Sequence, residues 1–393
     1  MERCKYLVIG GGRAADAAVR GIRERDRIGS ILVASDEDDP PYDRPPLSKA
    51  LWKGSAVETI WRHTDLAAAE LRLGARIMAI DRNAKTAIDA NGAAIAYERL
   101  LLATGGTPRH LRGSDASTIY YRKLSDFKCA WEAANRGAEF AVIGGGFIGS
   151  EIAAALAMSD CRVSLVFPGQ SICDRVFPRP LANFLNLYFR KCGVDVRFNE
   201  RAELVERGSN KLVIRTNGPE TLAVDVVIVG IGIKPNVNLA AAAGLSVADG
   251  ILVDERLRTG DPDIFAAGDV ASFPCVALNR RLRVEHEDNA DAMGRTAGRN
   301  MAGENETYRH LPFFYSDFFD FGYQAVGEVH SGMRIVEDWV EKFYKGIIYY
   351  LRDERVVGVL LWNMCGLVDE ARQLILSGRS GRPASLVGRL REH

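Results

Sequence analysis

Two stretches of this chain follow one pattern, and together they leave few folds open. The apolar run Lys5-Tyr6-Leu7-Val8-Ile9 leads into Gly10-Gly11-Gly12-Arg13-Ala14-Ala15, a G-x-G-x-x-A turn followed by an Ala-rich helical segment. The pattern returns 134 residues later, where Ala141-Val142-Ile143 leads into Gly144-Gly145-Gly146-Phe147-Ile148-Gly149 and a second Ala-rich helix through Met158. In such a turn the first glycine permits the tight bend and the second lets a pyrophosphate approach the backbone. The third lets helix pack on strand. Phosphate then rests on a helix N-terminus, where unpaired N–H groups and the helix dipole favour negative charge. The expected class is α/β, with two Rossmann-like dinucleotide-binding units in one chain.

What flanks each turn separates the two. In the first unit Ile31-Leu32-Val33-Ala34 reads as the next buried strand, and Asp36 follows it, 26 residues after Gly10. An acid there accepts hydrogen bonds from a ribose hydroxyl; the alternative is a surface acid in the run Asp36-Glu37-Asp38-Asp39. In the second unit the strand is Val163 to Phe167, and the matching place holds Gly169 and Gln170, with no acid. Preference for NAD over NADP therefore has no visible basis in the spacing. Arg175 lies nearby and is either a phosphate ligand or a surface arginine.

Elsewhere the signals are more local. The segment Pro40-Pro41-Tyr42-Asp43-Arg44-Pro45-Pro46-Leu47-Ser48-Lys49 is fixed by proline and expected not to be helical. A helix is expected at 65–71, then strands through 75–103 with a hairpin at Asn91-Gly92. Leu100-Leu101-Leu102 ends in Ala103-Thr104-Gly105-Gly106, a small-residue turn that suits close approach of a cofactor or a hinge between domains. Asp269, ending Phe265-Ala266-Ala267-Gly268-Asp269, is either a polyol acceptor or a helix N-cap. His286 precedes a helix of small residues, and a lone histidine there is by default structural. From Pro312 the chain turns aromatic-rich and reads as a small α+β domain, with an arginine-rich tail (377–393) expected to fray.

Composition excludes several classes. With 51 basic and 51 acidic residues there is no global field to favour nucleic acid or an anionic membrane. No recognition motif for nucleic acid is present, and no apolar run reaches the ~18 residues of a membrane span. The first strand starts too early for a leader peptide to be expected. The seven cysteines form no C-x-x-C pair, which argues against a redox dithiol or a zinc site and suits a reducing cytoplasm.

With these residues in hand, the sequence resembles the apoptosis-inducing factor family of flavoproteins along nearly its whole length, and more distantly bacterial ferredoxin and putidaredoxin reductases. The resemblance rests on Arg-Pro-Pro-Leu-Ser-Lys (44–49), Ala-Thr-Gly-Gly-Thr-Pro-Arg (103–109), Gly-Gly-Gly-Phe-Ile-Gly-Ser-Glu (144–151) and Arg-Val-Glu-His (283–286). Gly-Tyr-Gln-Ala-Val-Gly (322–327) and the stretch 350–363 favour the apoptosis-inducing factor branch.

The resemblance implies a glutathione-reductase-like fold with three domains. These are a discontinuous FAD domain (1–115 and 247–311), an NAD(P)H domain (116–246) and a C-terminal α+β domain (312–393). It assigns FAD to Gly10, Gly12, Arg13, Ala14, Ala15, Asp36, Arg44, Lys49, Thr104, Gly105, Arg109, Asp269, Glu285, His286 and Tyr315. The nicotinamide nucleotide falls to Gly144, Gly146, Phe147, Ile148, Gly149, Glu151, Arg175, Gly232, Glu285 and Gln324. Lys49, Glu151, His286 and Phe147 would surround the reacting rings, with Lys49 and Glu151 as an ion pair beside the flavin.

The departures are specific. Gly169 stands in place of the family's ribose acid, Gln324 in place of a glutamate, and Tyr315 in place of a tryptophan. A second histidine near His286 and a long C-terminal insertion are missing. The expected activity is hydride transfer from NADH, or NADPH, to FAD, and then electron delivery to an acceptor the sequence does not name. Two alternatives stand beside it. One is a redox sensor that changes shape or oligomeric state, as monomer or homodimer, around a long-lived reduced-flavin–NAD pair. The other is a dedicated reductase of a ferredoxin or rubredoxin, a role that wants a basic face; the neutral charge and the C-terminal motifs speak against it, though arginines 372, 379, 382, 389 and 391 cluster late.

Overall fold

The computed structural model describes residues 1–111, 117–378 and 383–391. The chain divides into two compact units: one of residues 1–43, 57–107 and 234–313, the other of 44–56, 108–233 and 314–393.

The first unit is built on the strand Glu2–Ile9. It pairs in parallel with Ile31–Ala34 on one side and Ala94–Leu102 on the other, so that Leu7 faces both Leu32 and Leu100 across the ladder. Ile264–Ala266 adds a further parallel strand beside Leu100–Leu102. Leu7, Leu100, Leu101 and Leu102 are fully buried. That is why these strands read as continuous apolar runs rather than alternating ones. The helices Arg13–Arg23 and Glu287–Met301 pack backbone to backbone. A Cβ at Gly294 would lie 2.3 Å from the Ala14 carbonyl oxygen and one at Gly298 2.1 Å from that of Ala18. The Asn91-Gly92 hairpin forms as its dipeptide predicts, with Gly92 at φ +83°.

The segment expected as a helix at 65–71 is instead a short 3-10 turn, Thr64–Ala67, and an edge strand, Glu70–Arg72. Its carbonyls are claimed from outside. Arg23 donates to the carbonyls of Ala67 and Ala68 at 2.8 Å each, and Glu70 pairs with Leu32 in the sheet.

In the second unit five parallel strands run in the order Asp195–Phe198, Val163–Phe167, Phe140–Ile143, Val226–Val229, Ile119–Tyr120. Ile143 aligns with both Val166 and Val229, so three strand ends converge on the turn at Gly144. A five-stranded sheet, paired antiparallel through Phe321–Gly327, Arg355–Trp362, Lys345–Arg352 and Arg334–Glu341, completes this unit. The proline-rich 44–49 segment is not an irregular loop: it forms consecutive 3-10 turns, Pro45–Ser48 and Ala50–Lys53. Proline at the first turn position fixes φ where no N–H is needed. The described part of the tail is also docked. Leu386 and Leu390 are buried, Gly388 N–H donates to Asp338 at 3.0 Å and Arg391 pairs with the same carboxylate. Among the described residues no helix is long and apolar enough to cross a membrane.

Candidate active site

In the first unit Gly10 (φ +119°) turns the chain where any side chain would collide. A Cβ there would stand 2.1 Å from the Ala103 carbonyl oxygen. Gly12 caps the Arg13–Arg23 helix with no side-chain hydrogen bond, and a Cβ on it would meet nothing within 4 Å. The helix start is therefore open, with N–H groups at hand, as a pyrophosphate needs. Ala14 and Ala15 are buried beneath it. The Arg13 guanidinium is engaged elsewhere, with Glu287 at 2.7 Å, Asp43 at 2.9 Å and Asp291 at 3.3 Å. Its backbone, at the first helical position, is the part that fits a phosphate.

The other FAD candidates in this unit collect at the same turn. Asp36 is exposed one residue beyond Ser35, whose Oγ would be 2.3 Å from a Cβ on Gly11. Thr104 and Gly105 are held by Asn236. Thr104 Oγ1 donates to the Asn236 carbonyl at 2.9 Å, and Asn236 Nδ2 donates back to the Thr104 carbonyl at 2.8 Å. Gly268 (φ +78°) abuts Ala14, which carries Asp269 to the mouth of the turn. Glu285 is paired with Arg283 at 2.7 Å. Burial pushes the His286 ring down to about 4, against the opposing fields of Asp269 and Asp288. His286 is thus a neutral imidazole across the physiological range.

The second unit repeats the cradle. Gly144 sits at φ +121° with its absent Cβ 2.4 Å from the Gly230 carbonyl oxygen, and a Cβ on Gly149 would be 1.7 Å from that of Gly144. Gly146 caps the Phe147–Met158 helix without a side-chain bond and faces open space. Ile148 is 41% exposed at the turn. The Phe147 ring lies 5.0 Å from that of Phe314 and 6.3 Å from that of Tyr323. Arg109 N–H donates to the Gly232 carbonyl at 2.9 Å, so these two candidates are neighbours. Arg44 donates to the Arg122 carbonyl at 2.9 Å. Gln324 Oε1 is buried and has no donor among the described residues, an orphaned acceptor that the amide N–H₂ of a nicotinamide would satisfy. Arg175 is exposed, its carbonyl tied to Ser331 N–H at 2.9 Å.

One turn into that helix lies Glu151, with its side chain 3% exposed. Its Oε2 takes the Lys49 ammonium at 2.7 Å and the Ser48 hydroxyl at 2.5 Å, while Oε1 takes the Ser316 hydroxyl. Tyr315 presents its ring 5.5 Å from Lys49 Nζ. The carboxylate is thus fully satisfied, and the ammonium is held in one place. A cleft of about 170 Å³, lined by Ser48, Lys49, Lys53, Glu151, Met158 and Phe319 among others, opens on the pair. Ser48 and Ser316 are the members that sequence reasoning missed. The only signal for Ser316 is strand alternation, since Ser316 and Phe318 point inward and Asp317 outward.

With this geometry established, comparison with known proteins identifies the class. Residues 4–294 match the pyridine nucleotide-disulphide oxidoreductase family, and 335–377 match the C-terminal region of mitochondrion-associated apoptosis-inducing factor. The chain belongs to the pyridine nucleotide-disulphide oxidoreductase family.

Within that family it is similar to apoptosis-inducing factor 1 of Dictyostelium discoideum, 34% identical over 97% of this chain and 80% of that protein. It is also similar to the ferredoxin–NAD(+) reductase component of the anthranilate 1,2-dioxygenase system of Burkholderia cepacia, 33% identical over 98% and 97%. Among solved structures, putidaredoxin reductase in its covalent complex with putidaredoxin superposes with a TM-score of 0.93 at 30% identity, covering 100% of this chain and 98% of that one.

The chain is an FAD-dependent NAD(P)H oxidoreductase. The seven cysteines form no C-x-x-C pair, and none is bonded to another.

Proposed function

We propose that this protein is a cytoplasmic FAD-containing NAD(P)H oxidoreductase in which the Lys49–Glu151 pair governs flavin reduction. FAD held by the first cradle would supply the hydride-accepting chemistry for a nicotinamide held by the second, and would make its electrons available to a separate acceptor. The observation that carries the reading is the buried Glu151 carboxylate, which fixes Lys49 through a direct ion pair and is itself locked by two serine hydroxyls. A buried pair of this kind is costly to desolvate and is weak evidence for stability. A fixed ammonium instead offers positive charge where negative charge develops during reduction. Phe147 and Glu151 act by placing the nicotinamide ring, not by moving a proton. Gln324 accepts from the carboxamide, and Gly232 leaves room for it. Gly10, Gly12, Ala14, Ala15, Asp36, Arg44, Thr104, Gly105, Arg109, Asp269 and Tyr315 serve FAD. Neutral His286 presents an uncharged imidazole to it, with Glu285 beside it.

A second reading, delivery to a small iron–sulfur protein, is favoured by similarity along the full chain to a ferredoxin reductase and to putidaredoxin reductase. The match of 335–377 to the apoptosis-inducing factor C-terminal region supports the sensor instead. One experiment separates them. The yellow holoenzyme is mixed with NADH in air, with and without an added ferredoxin, while cytochrome c reduction and the long-wavelength charge-transfer band are followed. Ferredoxin-stimulated cytochrome c reduction identifies the reductase. A band that outlasts many turnovers, with a shift in elution volume, identifies the sensor. Failure of NADH to bleach the flavin at all rejects both.

A further inference from the structure

The two nucleotide units differ where the ribose acid belongs. The first has Asp36 just past its strand, and the second has Gly169 and Gln170 at the matching place. The second unit nevertheless brings a carboxylate there. A Cβ built on Gly169 would lie 2.4 Å from Asp174 Oδ2 and 3.4 Å from Oδ1, so the Asp174 carboxylate fills the space that a side chain at 169 would enter.

The loop that does this is pinned at several points. Gln170 N–H donates to Asp174 Oδ2 at 3.2 Å. Asn186, buried on the helix Arg179–Lys191, accepts from Ile172 N–H and donates to the Gln170 carbonyl, both at 3.0 Å. Cys173 N–H donates to the Gly145 carbonyl at 2.8 Å. That last bond folds the loop back onto the glycine turn itself, and Asp174 is the next residue. The backbone at Cys173 is left-handed (φ +50°), which re-aims the chain at this point.

We propose that Asp174 is the specificity-determining residue for the nicotinamide nucleotide and selects NADH against NADPH. It takes the role of the missing strand-end acid by folding back, five residues further along. The inference rests on the reading of the second unit as the nicotinamide nucleotide site. A carboxylate at this place accepts hydrogen bonds from ribose hydroxyls, and it sets like charge against a 2′-phosphate, which costs affinity. Arg175 is the opposing feature, an exposed cation one residue away that a 2′-phosphate could use. Asp174 wins in this account because its carboxylate is fixed at the strand end by the Gln170 N–H.

The test uses the full-length holoenzyme, with the flavin spectrum as the control for folding. Binding of NAD⁺ and NADP⁺ to the oxidised protein is measured by calorimetry, and flavin reduction by NADH and NADPH by anaerobic stopped flow. The wild type is expected to favour the NAD nucleotides by about tenfold or more, and Asp174→Asn to bring the ratio to within a few-fold of unity. The Gly169→Glu/Asp174→Gly double variant is expected to restore the preference. Gly169 is not left-handed, and the space it needs is vacated when Asp174 goes. An unchanged ratio in Asp174→Asn, or a wild type that favours NADP⁺, overturns the proposal. Absence of binding and of bleaching with both nucleotides overturns the underlying reading as well, and is distinct from a ratio that fails to move.

Discussion

The two glycine turns are nearly superimposable in their backbone logic and opposite in what their helices do next. Gly10 and Gly144 sit at φ +119° and +121°, each against a carbonyl from a neighbouring strand end. Each following helix is capped by a glycine in extended conformation with no side-chain bond. Each then buries an acid within its first turns. In the first unit that acid is Asp16, fully buried, which takes Arg20 at 3.0 Å, Arg62 at 2.7 Å and the Thr64 hydroxyl at 2.7 Å. Burial pushes the Asp16 carboxyl up, but the two guanidiniums and the hydroxyl outweigh it and hold the group below its usual range. Every one of its partners is structural. In the second unit Glu151 takes a single lysine and two serines beside an open cleft. Both fingerprints thus form an open cradle, and they differ in the buried acid behind it: Asp16 is tied to two guanidiniums and a hydroxyl, while Glu151 holds one ammonium beside a cleft.

The largest effect expected comes from closing one cradle at a time. Gly10→Ala drives a methyl into the Ala103 carbonyl and should yield protein purified without flavin colour. Gly149→Ala drives one into the Gly144 carbonyl and should leave a yellow protein that NADH does not bleach. Loss of colour in both, or in neither, would break the assignment of one nucleotide to each turn. Next, Asp16→Asn removes the buried partner of Arg62 and should cost about 3 kcal/mol in denaturant unfolding without altering flavin reduction per bound FAD. Ser316→Ala removes one hydroxyl from Glu151 and should slow reduction by NADH about fivefold, with FAD content unchanged.

A pH-dependent effect is expected from His286, whose native ring titrates near 4 against about 6.5 unfolded. The unfolded chain binds the extra proton between those values. His286 therefore contributes stability in full above pH 6.5, and that contribution is lost as pH falls toward 4. Unfolding measured at pH 6.5 and 4.5 should show a loss that His286→Asn lessens by about 2 kcal/mol.

Much of this was legible before any coordinates. Glycines at 10, 12, 144, 146 and 149 declare themselves because only a residue without Cβ survives 1.7–2.4 Å from a carbonyl or leaves a helix start open. The apolar runs at 5–9 and 141–143 mark the central strands of the two parallel sheets. The Lys49–Glu151 pair was legible only through family resemblance, since nothing in local pattern joins residues so far apart. Ser48 was silent and Ser316 was marked only by the facing of its strand, because a serine hydroxyl looks like any other until what it faces is known. Asp174 was invisible for a different reason. Its position depends on bonds from Asn186 and Gly145 to a loop that doubles back, and counting along the chain cannot see a fold-back. The same blindness produced the helix expected at 65–71, where Arg23 claims carbonyls from a distant helix.

The proposed role of Glu151, holding Lys49 for flavin reduction, is tested most directly by anaerobic stopped-flow mixing with NADH. Glu151→Gln keeps the side chain's shape while removing the charge and one of the two acceptor oxygens that Lys49 and the serines use. The account predicts a variant with full FAD content whose visible band bleaches at least about tenfold more slowly than the wild type. Bleaching at the wild-type rate, or a wild-type protein that takes up no FAD, would contradict it.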